Sequence, residues 1–129
     1  MILLSVIIPL YNNASHLHDC VNSLYRQGVE ENEFEVIIVD DGSTDGGGAV
    51  ADSIAGEHDN IKVLHQPNHG AGMARNAGMK VARGKYLHFV DADDFVHDGS
   101  YRHIVDNLMP HDTDIIVIDM FVPVSPSGT

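Results

Sequence analysis

The sequence predicts an α/β domain: an open, mainly parallel, doubly wound sheet with helices on both faces. Two observations carry that expectation. Val6-Ile7-Ile8, Val36-Ile37-Ile38-Val39 and Ile115-Ile116-Val117-Ile118 are continuous β-branched runs without polar alternation, the pattern of strands buried on both faces. Strand-like and helix-like segments also alternate, β-α-β-α-β-α-β-α-β, an order that implies right-handed crossovers between parallel strands.

The expected strands are Leu3 to Pro9, Glu35 to Asp40, Ile61 to His65, Lys85 to Asp91 and Asp114 to Asp119. Four helical segments lie between them. His16 to Gln27 sets Leu17, Cys20, Val21, Leu24 and Tyr25 on one stripe. Ser15 is its expected N-cap and Gly28 its expected C′ residue. Asp45 to Gly56 repeats the pattern more weakly, since each glycine of Gly46-Gly47-Gly48 costs a helix about 1 kcal/mol. Ala71 to Arg83 is alanine-rich and stops at Gly84. Ser100 to Met109 puts Tyr101, Ile104, Val105 and Leu108 on one face, and Pro110 closes it. Met73 and Met79 are expected in the core. Cys20, on an apolar stripe, reads as a buried thiol, not a nucleophile. Residues 120–129 read as a frayed tail.

The 129 residues fit one domain, 1–129. A hydrophobic share of 43% and a charged share of 20% exclude a disordered chain. Seven Lys and Arg against nineteen Asp and Glu give a formal net charge of −12. That balance argues against nucleic acid and anionic membrane surfaces as partners, since both are polyanions. One cysteine allows no internal disulfide and suits a reducing compartment. No apolar run approaches the roughly 20 residues that span a bilayer. Met1 to Leu4 lacks the basic flank of a signal peptide. The expected location is cytoplasmic, with the inner face of the membrane as a second setting for the complete protein.

Ligands of open α/β sheets sit at the carboxyl ends of the strands. The first expected strand ends in Pro9-Leu10-Tyr11-Asn12-Asn13, the second in Asp40-Asp41-Gly42-Ser43-Thr44-Asp45, the fourth in Asp91-Ala92-Asp93-Asp94. Asp40, Asp41, Asp91, Asp93 and Asp94 should therefore converge, repel one another and raise each other's pKa values. A divalent cation relieves such repulsion, and hard oxygen ligands suit Mn²⁺ or Mg²⁺. Asp and Gly at strand ends also serve turns and caps; Asp45 reads as a cap, not a ligand. Gln66 to Gly72 is a glycine-containing loop without the Walker or Gly-x-Gly-x-x-Gly pattern. Arg75 and Asn76 fall in the first turns of the helix that follows, where anions are favoured; Arg75 could equally pair with one of the carboxylates. No His/Cys cluster suits zinc. His16 and His18 belong to a solvated face, and His69 beside Gly70 is the histidine singled out.

Ser5 to Asn12, Val36 to Asp45, Asn68 to Gly78 (with Ala74-Arg75-Asn76-Ala77-Gly78) and Gly84 to Asp94 together resemble family 2 glycosyltransferases. These have the GT-A fold, which is Rossmann-like. Four motifs in the right order make the resemblance specific, and it covers Leu3 to about Asp119. It implies a nucleotide-sugar donor, usually UDP-linked, bound with Mn²⁺ or Mg²⁺. The sugar would pass to an acceptor hydroxyl of a saccharide or glycolipid in polysaccharide or glycoconjugate synthesis, with inversion. By resemblance Pro9 and Tyr11 flank the base and the Asp41 carboxylate accepts the uracil N–H. Asn68 and Arg75 lie near the base and phosphates, and Asp91 and Ala92 contact the ribose. Asp93 ligates the metal that bridges the diphosphate.

Family members continue into an acceptor-binding half that supplies the catalytic base. Met120 to Thr129 contains no acid. The base is therefore expected beyond residue 129, and the chain is expected to be a truncated donor-binding domain. The family fold also sets a later strand between the fourth and fifth strands seen here. Its absence is expected to leave an open edge through which the chain would form a homodimer. The alternative is a catalytically silent nucleotide-sugar-binding fragment. A phosphorelay receiver is more remote: its acidic pair follows its first strand and a lysine follows its fifth, whereas Asp40-Asp41 follows the second and the last lysine is Lys85. A dinucleotide-dependent oxidoreductase would need a glycine fingerprint where Pro9-Leu10-Tyr11-Asn12 stands.

Overall fold

The computed structural model describes residues 2–107 and 117–118. In chain order its elements are β1 (Leu4–Leu10), α1 (Ala14–Leu24), β2 (Phe34–Asp41), α2 (Gly47–Ala55), β3 (Ile61–Gln66), α3 (Ala71–Val81), β4 (Tyr86–Phe89), α4 (Ser100–Asn107) and β5 (Val117–Ile118). The sheet runs β3-β2-β1-β4-β5, and every pairing is parallel. The expected α/β doubly wound architecture is the observed one. Strand order reverses beside β1, which makes the β1/β4 boundary the switch point where such sheets open a ligand crevice.

Side chains alternate across a strand, so β1 and β2 feed two separate cores. Val6, Ile8, Leu10, Val36 and Ile38 pack with Leu17 and Leu24 of α1, Ile54 of α2 and Tyr101 and Ile104 of α4. Ile7, Ile37 and Val39 face the other way, onto Ala74, Ala77 and Val81 of α3. Three helices thus cover one face and α3 covers the other.

Several local expectations change. α1 begins at Ala14, one residue before Ser15, and Asn13 occupies the N-cap without a side-chain cap bond. The Ala14 N–H instead donates to Asp45 Oδ2, 3.0 Å away on a different loop, so the cap is tertiary. The helix closes at Tyr25, and Gly28, with φ +72°, turns the chain farther on. Met73 and Met79 are 55% and 39% exposed, not core. α3 approaches the sheet too closely for them: it seats Ala74 and Gly78, and a Cβ on Gly78 would lie 2.5 Å from Ile7 Cγ2. The edge of β4 expected to lie open pairs directly with β5, Leu87 against Val117 and His88 against Ile118. Pro110, the expected tail and the rest of the fifth run lie outside the described residues.

Gly78→Ala should therefore destabilise the fold by about 1–3 kcal/mol through overpacking. Gly72→Ala, in the same helix with open space around it, should be neutral or stabilising by up to about 1 kcal/mol. Urea-unfolding midpoints of the two variants check the contrast.

Candidate functional site

The carboxyl ends of β1, β2 and β4 meet at one edge, around a cleft of about 190 Å³ lined by Pro9, Leu10, Tyr11, Asn13, Asp41, Ala71, Asp91, Ala92 and Asp93. Six of the eight residues expected to hold the donor line it: Pro9, Tyr11, Asp41, Asp91, Ala92 and Asp93. The other two adjoin it through those six. Asn68 Nδ2 donates to the Asp41 carbonyl at 3.2 Å, and Arg75 Nη2 lies 3.6 Å from Asp91 Oδ1.

The five carboxylates do not form one cluster. Asp40 and Asp41 are consecutive strand residues, so their side chains leave opposite faces of the sheet. Asp41 follows Val39 toward the α3 side. Its Oδ1 accepts from Gln66 Nε2 and the His69 N–H, both at 2.8 Å, and its Oδ2 accepts from the Gly70 N–H at 2.9 Å. Burial alone would raise its pKa, but those hydrogen bonds, with the nearby His69, outweigh burial and lower it. Asp40 turns toward α2. Its Oδ1 accepts the Ser43 N–H at 3.0 Å, and Oδ2 pairs with His65 Nδ1 at 3.0 Å. Here too burial opposes, and the bonds from Ser43 and His65 prevail to lower the pKa. The expected upward shifts are therefore reversed at both residues, because each is already paired.

Asp91, Asp93 and Asp94 stand together on the turn after β4. The Asp94 N–H closes a turn on the Asp91 carbonyl at 3.0 Å. One carboxylate oxygen from each residue falls within 4.8 Å of the others. Burial first, then the charges of Asp93 and Asp91, push the Asp94 carboxyl up. Three hard oxygen donors so close, on a loop at the cleft, fit Mn²⁺ or Mg²⁺. Beneath them Cys20 is fully buried, and its Sγ–H donates to the Asp91 carbonyl at 3.6 Å. Burial, aided by Asp94, Asp93 and Asp91, pushes that thiol up to about 12, so it is inert as expected.

Asp45 caps, as its position suggests. Oδ1 accepts the Gly47 N–H at 2.9 Å while Oδ2 holds α1. Asn12, at φ +53°, joins the same lattice: its N–H donates to Ser43 Oγ at 3.1 Å, and its Oδ1 accepts the Thr44 N–H at 2.8 Å. Tyr11 is thereby presented at the cleft with 47% of its surface exposed. His16, His18 and Asn76 are exposed. His69 contributes its backbone N–H to Asp41.

Sequence reasoning missed His65 and Gln66. The signal was their register: they stand opposite Asp40 and Asp41 on the neighbouring strand. A larger cavity of about 440 Å³ at the amino ends of the strands, around buried Glu35 and the flanking Lys62 and Arg83, contains none of the expected donor residues. No described helix is long and apolar enough to cross a membrane.

The fold that carries this cleft is shared with known glycosyltransferases. The chain matches the family model "Glycosyl transferase family 2" over residues 5–127 and belongs to that family. It is 38% identical over 114 residues to EpsJ, an uncharacterized glycosyltransferase of Bacillus subtilis (strain 168), covering 88% of this chain and 33% of that one. Among solved structures it resembles S. aureus TarS 1-349 in complex with UDP-GlcNAc, with a TM-score of 0.79 and 33% identity over 85% of this chain and 32% of that one. It also resembles the mannosyltransferase PcManGT from Pyrobaculum calidifontis in complex with GDP-Man and Mn²⁺, with a TM-score of 0.70 and 26% identity over 74% and 29% of the two chains. The chain spans about a third of the length of the curated relatives it matches.

Asp41→Asn turns one acceptor oxygen into a donor facing N–H groups, and should cost about 1–3 kcal/mol near neutral pH. The folded-state pKa of Asp41 is lowered. Its contribution is therefore present above the ordinary carboxylate value of about 3.9 and is lost as pH falls through the folded value. The gap between wild-type and variant urea midpoints should accordingly narrow under acid conditions.

Proposed function

We propose that this chain is the donor-binding part of a glycosyltransferase that holds a UDP-sugar with Mn²⁺ or Mg²⁺ and, in the complete protein, passes the sugar to an acceptor hydroxyl of a saccharide or glycolipid. The observation that carries it is the meeting of Pro9, Tyr11, Asp41, Asp91, Ala92 and Asp93 around one cleft. TarS, crystallised with UDP-GlcNAc, supports the choice of donor. Its description as a poly(ribitol-phosphate) beta-N-acetylglucosaminyltransferase supports a polymeric acceptor. The lone buried thiol supports a reducing, cytoplasmic setting.

Tyr11 and Pro9 offer flat apolar surface to the base. Asp41 keeps an acceptor lone pair on Oδ2 beside its bond from Gly70, and uracil offers an N–H there where cytosine offers an acceptor. The lowered pKa keeps Asp41 ionised for that contact. Asp91 and Ala92 border the ribose. Asp93, helped by Asp91 and Asp94, would hold the cation, which when bound neutralises charge on the departing nucleoside diphosphate. Arg75 is half-exposed and sits 3.6 Å from Asp91, near enough to exchange that carboxylate for a phosphate oxygen. The base that deprotonates the acceptor would belong to the acceptor-binding part of the complete protein.

Calorimetric titration of UDP should give binding with Mn²⁺ that EDTA abolishes. Asp93→Ala should lower the Mn²⁺-dependent affinity at least about tenfold, roughly 1.4 kcal/mol, with the urea midpoint unchanged, since this exposed residue is not core. Full affinity in that variant removes Asp93 from the metal role.

A further inference from the structure

Between β2, β3 and α2 lies a three-residue chain that the donor contacts do not use. His65 Nδ1 is 3.0 Å from Asp40 Oδ2, and its Nε2 is 2.9 Å from Asp52 Oδ1 on α2. The other Asp40 oxygen accepts the Ser43 N–H. Ser43 Oγ and the Thr44 N–H in turn hold Asn12, whose neighbour is Tyr11. Asp40 is bonded through the backbone to Asp41. One carboxylate thus braces both walls of the base pocket, and His65 braces that carboxylate. One glycine of the run that weakens α2 as a helix has its reason here: a Cβ on Gly48 would lie 2.5 Å from Asp40 Oδ2 and 3.3 Å from His65 Cε1. α2 can bring Asp52 onto His65 because Gly48 is bare.

We propose that His65 is a positioning residue for donor recognition: its bridge from Asp40 to Asp52 sets the turn after β2, and through it Asp41 and Tyr11, in the arrangement that receives uracil. We rest this on the donor site proposed above. A neutral imidazole donates from one nitrogen only, whereas the imidazolium donates from both, so the bridge is complete in the charged form. The charged groups set against the ring are Asp40 from β2 and Asp52 from α2. Their hydrogen bonds, Asp40 first, raise the His65 pKa against the effect of burial. The bridge is therefore whole below the ordinary imidazole value of about 6.5 and is lost as pH rises through the raised folded value.

The test is the affinity of uridine, which carries neither phosphate nor a need for metal, followed by amide NMR shifts from about pH 5.5 to about pH 8. Wild-type affinity should fall roughly three- to tenfold across that range, the scale of part of one charge-assisted hydrogen bond. His65→Asn should bind weakly at every pH, with a flat profile. Asp52→Asn, altered at an exposed position, should keep the fall but move its midpoint to lower pH. If His65→Asn does not fold, the Asp52→Asn shift decides alone. A flat wild-type profile, a folded His65→Asn with wild-type affinity and slope, or an unmoved midpoint in Asp52→Asn overturns the role of His65 while leaving the donor site standing. Failure of the wild type to bind uridine at any pH overturns the donor site and the role of His65 together.

Discussion

Everything at the cleft depends on β1 being buried on both faces and paired in parallel on both edges. Its partners are β2 through seven register positions and β4 through four. Parallel pairing forces all three strands to finish at the same edge, so Tyr11, Asp41 and Asp93 meet although some thirty and fifty residues separate them along the chain. Val6, Ile7 and Ile8 are wholly buried. At roughly 1.5–3 kcal/mol for each buried aliphatic side chain, this strand is among the largest single contributions to the fold. The site inherits its rigidity from that core and needs only short loops to complete it.

Charge divides the edge into two halves with opposite characters. On the β2 side, burial of Asp40 and Asp41 is more than offset by N–H donors and a histidine, leaving two ionised, fixed acceptors. On the β4 side, Asp91, Asp93 and Asp94 crowd one another, and the Asp94 carboxyl is pushed up. The first half is built to receive a hydrogen-bond donor; the second half is short of positive charge, with Arg75 its described ion-pair partner. A nucleoside diphosphate carried with a cation has the complementary pattern: a base with an N–H at one end and a charge-neutralised diphosphate at the other.

Much of this was legible in the residues themselves. Unbroken β-branched runs announce doubly covered parallel strands, and the rule that ligands sit at strand ends points to the segments Pro9 to Asn13, Asp40 to Asp45 and Asp91 to Asp94, within which the family resemblance singles out Asp41 and Asp93. Most of what failed did so for tertiary reasons. α1 takes its cap from Asp45, a residue thirty-one positions away from Ala14, which no local capping pattern reveals. Met73 and Met79 were misassigned because α3 lies against Ile7 with only small residues between them. Grouping Asp40 with the other acids neglected strand alternation, which was available from sequence and sends consecutive side chains to opposite faces. His65 escaped because its role appears only once β3 is set in register with β2.

The central claim is that the base of a nucleotide donor docks against the Asp41 carboxylate braced by the β3–α3 loop. It is tested most directly by following backbone amide resonances while UDP and Mg²⁺ are added to the chain. The account predicts saturable shifts at His69 and Gly70, the two amides that donate to Asp41, together with Tyr11 and Asn12. Shifts confined to the cavity around Glu35, or none at His69 and Gly70 while UDP binds, would contradict it.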